Sequence, residues 1–191
     1  MFAQMLKIKT KPYHDQLESH FINSSLFGPN PTRADYIRFL QTQYQIWSPL
    51  EEKILLFQEK LQKIGIIYNS RVNDLKDELI LLRETPSKID FDPSFMDDFL
   101  AVLGAIYLME GSRHGAFHIL KVAKRMMGED HRFLFLEMNQ MVFFENWKNF
   151  MIQLENYVTT HNLENQFILA VCDLYEEFGR LYDKCAATHN M

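Results

Sequence analysis

Two patterns in this chain have the residue types and spacing for chemistry. His14 and Glu18 stand four residues apart in LKIKTKPYHDQLE, so on a helix both side chains share one face. An imidazole with a carboxylate one turn away makes a metal ligand and its orienting group, because the carboxylate fixes the ring and raises its basicity. The same HxxxE spacing also serves an ordinary surface pair. The second pattern is FLAVLGAIYLMEGSRHGAFHIL, residues 99–120, where Gly104, Gly111 and Gly115 follow one another at seven and four residues. That spacing puts all three on one helical stripe. A glycine inside a helix costs about 1 kcal/mol relative to alanine. The stripe therefore implies something that approaches the backbone closely, either a neighbouring helix or a planar ligand.

Other motifs are weaker or missing. His114 and His118 flank Gly115, while His20, His131, His161 and His189 have no partner spacing. The chain contains no HExxH, CxxC or ExxH, so zinc and carboxylate-bridged di-iron centres lack their usual spacings. Glu51, Glu52 and the Glu110–His114 pair could contribute to a di-metal site, but the carboxylates are few. There is no glycine-rich phosphate loop and no GxSxG elbow. Gly111-x-x-x-Gly115 copies a membrane dimer motif in spacing only, since Glu110, Arg113 and His114 lie within it.

These residues need helices to position them, and the chain reads as helical throughout. Residues 3–20 form a first helix around Pro12, which either opens a new turn or kinks the helix. SSLFGPNPT is a loop. Thr32 with Asp35 three residues later makes a capping-box start for a helix carrying Tyr36, Phe39, Leu40, Gln43, Tyr44 and Trp47 inward, bent at Pro49 and reaching about Ile64. A shorter helix spans about 72–83. Asp92 as N-cap with Pro93 at N1 is expected to start the glycine-bearing helix, which runs to about Met127 with Gly128 as its C-cap. The aromatic stretch 129–143 is ambiguous. Helices follow over 145–158 and, from an Asn162 cap, to about Ala187. The expected fold is all-α, a single 1–191 domain of about seven to eight helices with a kinked central helix.

Bulk properties agree. The chain has 191 residues, 16 Phe, 8 Tyr, 10 Met and only seven Gly and six Pro, enough to bury a core without staples. Its net charge of −5 and lack of a dense basic block speak against nucleic acid. Lys7, Lys9 and Lys11 make the start locally basic, which suits an anionic ligand. MFAQMLKIKT lacks a secretory signal pattern, and no apolar run is long enough to span a bilayer. Cys172 and Cys185, thirteen apart on one expected helix, would be roughly 20 Å apart, too far for a disulfide. A reduced, cytoplasmic protein is expected.

Taken together, Lys7, Thr10 and His14 in LKIKTKPYHDQLE, YIRFLQTQ at 36–43 and above all LGAIYLMEGSRHGA at 103–116 resemble the heme oxygenase family, most closely its bacterial branch. WKNFMIQL at 147–154 and EFGRLYDK at 177–184 are weaker matches in the right order. The resemblance implies heme as cofactor and substrate, cleaved with dioxygen and external electrons to biliverdin, carbon monoxide and ferrous iron. The donor would be a ferredoxin, flavodoxin or reductase. It implies that His14 ligates the iron through Nε2 and that Glu18 orients its ring. Gly111 and Gly115 match distal glycines lying against the heme face, and Ser112 matches a polar position that helps hold distal water. Lys7, Tyr107 and Tyr182 match propionate contacts, and Phe143, Phe144, Trp147 and Phe178 are pocket-wall candidates that equally suit an ordinary core. His114 departs from the leucine usual in that branch, with either a packed or a heme-facing side chain. Ala116 is a mild change from glycine. A non-catalytic heme-binding or helical interaction protein, and a di-iron or thiaminase-like member of the same fold, are the alternatives.

Overall fold

A computed structural model describes residues 2–22, 26, 28–89, 91–128 and 130–189. Among them the elements are α1 (Phe2–Ile22), α2 (Arg33–Leu55), α3 (Gln58–Lys63), α4 (Val72–Leu81), α5 (Phe99–Ser112), α6 (Ala116–Met127), α7 (Gln140–Thr160) and α8 (Glu164–His189). No strand is present among the described residues. The side chains of His20 and His189 and part of the expected SSLFGPNPT loop lie outside the described residues.

Local chemistry accounts for most of the boundaries. Thr32 caps α2 as expected: its hydroxyl accepts from the Asp35 N–H at 3.3 Å, and the Asp35 carboxylate accepts from the Thr32 N–H at 2.8 Å. Pro12 and Pro49 both sit inside helices that continue past them, because packing of the flanking turns outweighs one lost ladder bond. α2 stops at Leu55, and the expected continuation to Ile64 is a separate short helix, α3. The glycine-bearing helix starts later than expected. Pro93 caps a single 3₁₀ turn at Ser94–Met96, and α5 begins at Phe99 with Asp98 accepting from the Ala101 N–H at 2.9 Å.

Asn162 also has a different role from the one its sequence suggests. Its φ of +55° is left-handed, with its N–H on Thr159 O at 3.2 Å and the Leu163 N–H on Val158 O at 2.7 Å. That is a Schellman close of α7 rather than an N-cap of α8. Gly128 ends α6 with a φ of +86°, as expected. The ambiguous aromatic stretch divides: its first part is irregular, and α7 starts at Gln140 with Asn139 accepting from the Val142 N–H.

α5 is the buried centre, with Phe99, Val102, Leu103, Ala105, Ile106, Leu108 and Met109 all buried. α8 packs along both α1 and α5 and also meets α2 and α7. Gly104 belongs to this packing, since a Cβ there would lie 2.5 Å from Leu174 Cδ1 and 3.4 Å from Val171 Cγ2 on α8. The neighbouring-helix explanation of the stripe is therefore right for Gly104. The irregular segment after α6 is held by a buried carboxylate: Glu78 on α4, fully buried, accepts from Tyr36 OH at 2.6 Å and from the Phe135 N–H at 2.9 Å, with His131 Nε2 at 3.2 Å. Burial and the Glu78 charge push the Tyr36 phenol far above its ordinary pKa. Cys172 and Cys185 are buried on α8 and not joined by a disulfide. No helix among the described residues is long and apolar enough to cross a membrane.

Candidate functional site

His14 sits on the outer face of α1 with about half its side chain exposed. Its Nε2 lies 3.7 Å from Glu18 Oε1 and its Nδ1 3.7 Å from Asp15 Oδ1. Both separations exceed a hydrogen bond, so neither carboxylate locks the ring. Glu18 lies nearer Nε2, the nitrogen expected to ligate iron, so orienting the ring through Nδ1 requires the imidazole to turn. Asp15 is itself held by Lys11, whose ammonium reaches it at 2.7 Å and keeps its carboxyl below the usual range. The edge of the His14 ring meets Tyr175 of α8, centroids 6.0 Å apart. His14, Asp15 and Glu18 are the one grouping of three metal-competent side chains among the described residues. Lys7, two turns earlier on the same face of α1, is exposed.

The element expected to be distal is α5 together with its junction to α6. The helix does not run unbroken to Met127. It tightens into a 3₁₀ turn over Arg113–Gly115 and resumes as α6 at Ala116, which supplies the expected kink at the glycines. A Cβ at Gly115 would meet nothing within 4 Å, and one at Gly111 would meet only Trp147 Cη2, at an ordinary 3.6 Å. The stripe thus divides. Gly104 is glycine because α8 requires it, whereas nothing in the protein requires glycine at 111 or 115. Gly104→Ala is expected to destabilise by about 1–3 kcal/mol through overpacking. Gly115→Ala should instead stabilise the ligand-free protein, by no more than about 1 kcal/mol. Urea denaturation of both variants checks the opposite signs.

The remaining expected site residues have partners inside the protein. Ser112 donates to Met109 O at 2.8 Å, leaving its lone pairs to accept. The Thr10 hydroxyl donates to Leu6 O at 2.9 Å, and burial raises the pKa of Tyr107. Its ring packs at 5.6 Å from Trp147 and 6.5 Å from Phe167. Tyr182 accepts from Gln43 Nε2 at 3.1 Å. It is held between α8 and α2, and burial raises its pKa too. Phe143 and Phe178 are buried, while Phe144 is 48% exposed.

His114 is packed. Its ring lies 4.9 Å from Phe143, 5.1 Å from Trp147 and 5.7 Å from Phe144, in an aromatic seat on α7. Burial first and then the neighbouring Arg113 charge push its pKa below the ordinary 6.5. The folded state then binds fewer protons than the unfolded chain below pH 6.5, so this contribution to stability is lost as pH falls through that value. The pH dependence of the denaturation midpoint between pH 7 and 5 should therefore be shallower in His114→Phe.

What sequence reasoning missed is the ionic layer behind the kink. Arg113 Nη1 donates to Glu110 Oε2 at 2.5 Å, with both side chains mostly buried. On α2, Glu51 accepts from Tyr68 OH at 3.0 Å, Ser70 Oγ at 2.5 Å and the Arg71 N–H at 3.2 Å. Arg71 in turn donates to Leu134 O and Phe135 O. Burial raises the Glu110 carboxyl, and Arg113 and Arg71 oppose it. The only signal in the sequence is the Glu110–Arg113 spacing of three.

α1, which bears the histidine, and the glycine-bearing α5 both pack on α8 in an all-α bundle. The family model for heme oxygenase matches residues 1–78. Over its whole length the chain is similar to the heme oxygenase from Neisseria meningitidis, solved in NO- and CO-bound forms. The two share a TM-score of 0.77 and 22% identity over 97% of this chain and 92% of that one. No curated protein sequence matches. The fold is therefore the heme oxygenase fold. The family match covers His14, Glu18 and the 36–43 segment but ends before Gly111 and Gly115.

Proposed function

We propose that this protein is a heme oxygenase, binding heme between α1 and the α5–α6 kink and opening it to biliverdin, carbon monoxide and ferrous iron. The observation that carries the reading is the pair of glycines at 111 and 115. Each is costly in a helical segment, and neither is required by a protein neighbour. A flat ligand lying against the backbone gives them a reason. The residues fit such a ligand on a second count: neither His14 ring nitrogen is within hydrogen-bond distance of Glu18 or Asp15, so the ring is available to a metal.

In this reading His14 would ligate the iron, and Glu18 would orient the ring at its other nitrogen once the imidazole has turned. Lys7 pairs with a propionate by a charge-assisted bond. Tyr107 and Tyr182 are the further propionate partners, Tyr182 with its oxygen accepting from Gln43. The Gly111 and Gly115 backbones admit a small ligand at the distal face, where Ser112 accepts from ordered water. Heme, when bound, supplies the oxygen chemistry, as cofactors generally do. The chain supplies ligation, orientation and control of water. Electrons come from a separate donor of the ferredoxin, flavodoxin or reductase kind.

Purified protein given hemin, ascorbate and air is expected to lose its Soret band, gain biliverdin absorbance and release one carbon monoxide per heme. A Soret band that persists with no green product would sink the oxygenase reading and favour a heme-binding protein. No binding at all would remove heme altogether.

A further inference from the structure

We propose that the buried Glu110–Arg113 pair is a positioning device, which fixes the 3₁₀ turn between α5 and α6 and so sets how the Gly111 and Gly115 backbones lie over the ligand. This rests on the heme reading and adds to it a determinant of which edge of the ring is opened. The two residues bracket Gly111 and Ser112 and straddle the point where α5 tightens. Arg113 is the first residue of the 3₁₀ turn, and Glu110 belongs to the last α-helical turn before it.

The pair clamps that junction from behind. Arg113 Nη1 bonds Glu110 Oε2 at 2.5 Å, its Nη2 lies 3.7 Å from Met138 Sδ, and its guanidinium carbon lies 5.0 Å from the Phe143 ring centroid. The turn is thereby attached both to the irregular segment before α7 and to α7 itself. Arg71 is close enough to act electrostatically on both members of the pair. It also holds the 134–135 carbonyls. Arg113 Nε is buried with no hydrogen-bond partner among the described residues. A buried ion pair with an unmet donor is a poor source of stability, so its geometry rather than its energy explains it. The turn has three residues and no side-chain cap; besides the Ser112 bond back to Met109 O, the clamp is what holds it as 3₁₀ rather than continuous α-helix.

The test uses Glu110→Gln, which keeps the shape and removes the charge, and Glu110→Gln with Arg113→Met, which removes both charges. Hydrogen exchange without heme is the first readout. The Arg113–Ala116 amides are expected to exchange at least about tenfold faster in Glu110→Gln than in wild type, with other helices unchanged. Exchange equal to wild type overturns the proposal. The second readout is the hemin complex, its spin state and, after turnover, its biliverdin isomers separated by chromatography. Both variants are expected to bind hemin and to convert one dominant isomer into a mixture. Faster exchange with an unchanged isomer pattern and spin state makes the pair structural only and also overturns the proposal. If wild type binds no hemin, the heme reading fails and the positioning role fails with it. That outcome is told apart from failure of the pair alone by the wild-type titration.

Discussion

Replacing His14 by alanine is expected to abolish turnover of bound hemin while leaving the fold unchanged. The side chain is half exposed and makes no hydrogen bond to Glu18 or Asp15, so its removal should change stability by no more than about 0.5 kcal/mol. Its loss to a bound metal is another matter. Groups that merely orient a ligand cost about 10–100-fold in affinity or activity when removed, and the ligand itself should cost at least that. Glu18→Gln should therefore fall between wild type and His14→Ala. Added imidazole should restore part of the Soret spectrum to His14→Ala, because the missing ring leaves room on the exposed face of α1. The measurement is a hemin titration followed by ascorbate in air. A His14→Ala spectrum and turnover equal to wild type would remove the histidine from the site.

The second large effect is on stability. Glu78→Leu should destabilise by about 2–6 kcal/mol, because it leaves the Tyr36 hydroxyl and the Phe135 N–H buried without an acceptor, each at roughly 1–3 kcal/mol. At about 2–4 °C per kcal/mol for a chain of this size, the melting temperature should fall by roughly 10 °C. The irregular segment before α7 should loosen first. Trp47 reports on it directly, since its ring sits 5.2 Å from Phe135 in an edge-to-face contact, so a change in tryptophan emission should precede loss of helicity on heating. A variant within about 1 kcal/mol of wild type would show that Glu78 is not the anchor.

The fold was legible in these residues because helix signals are local. The Thr32–Asp35 box, the Gly128 stop and the periodicity of α2 depend on neighbours within one turn, and all appear where the sequence puts them. The errors also have local causes. Asp92-Pro93 and Asp98 are both good starts for a helix, and the choice depends on which start lets Met96 and Phe99 be buried. Asn162 can cap a helix or close one, and the tight turn between α7 and α8 demands the left-handed residue.

By itself, then, the sequence determined an all-helical chain, a histidine with a carboxylate one turn away, and a stripe of glycines in a buried helix. Each of these follows from residue type and a spacing of three, four or seven. Only the tertiary structure decided which glycine a neighbouring helix requires, because the same missing Cβ serves a neighbour or a ligand alike. A Cβ added at Gly104 would lie 2.5 Å from Leu174 Cδ1, while one added at Gly115 would meet nothing within 4 Å. It likewise decided that the His114 ring lies against Phe143, Phe144 and Trp147 of α7, since those contacts join residues whose meeting no local pattern encodes.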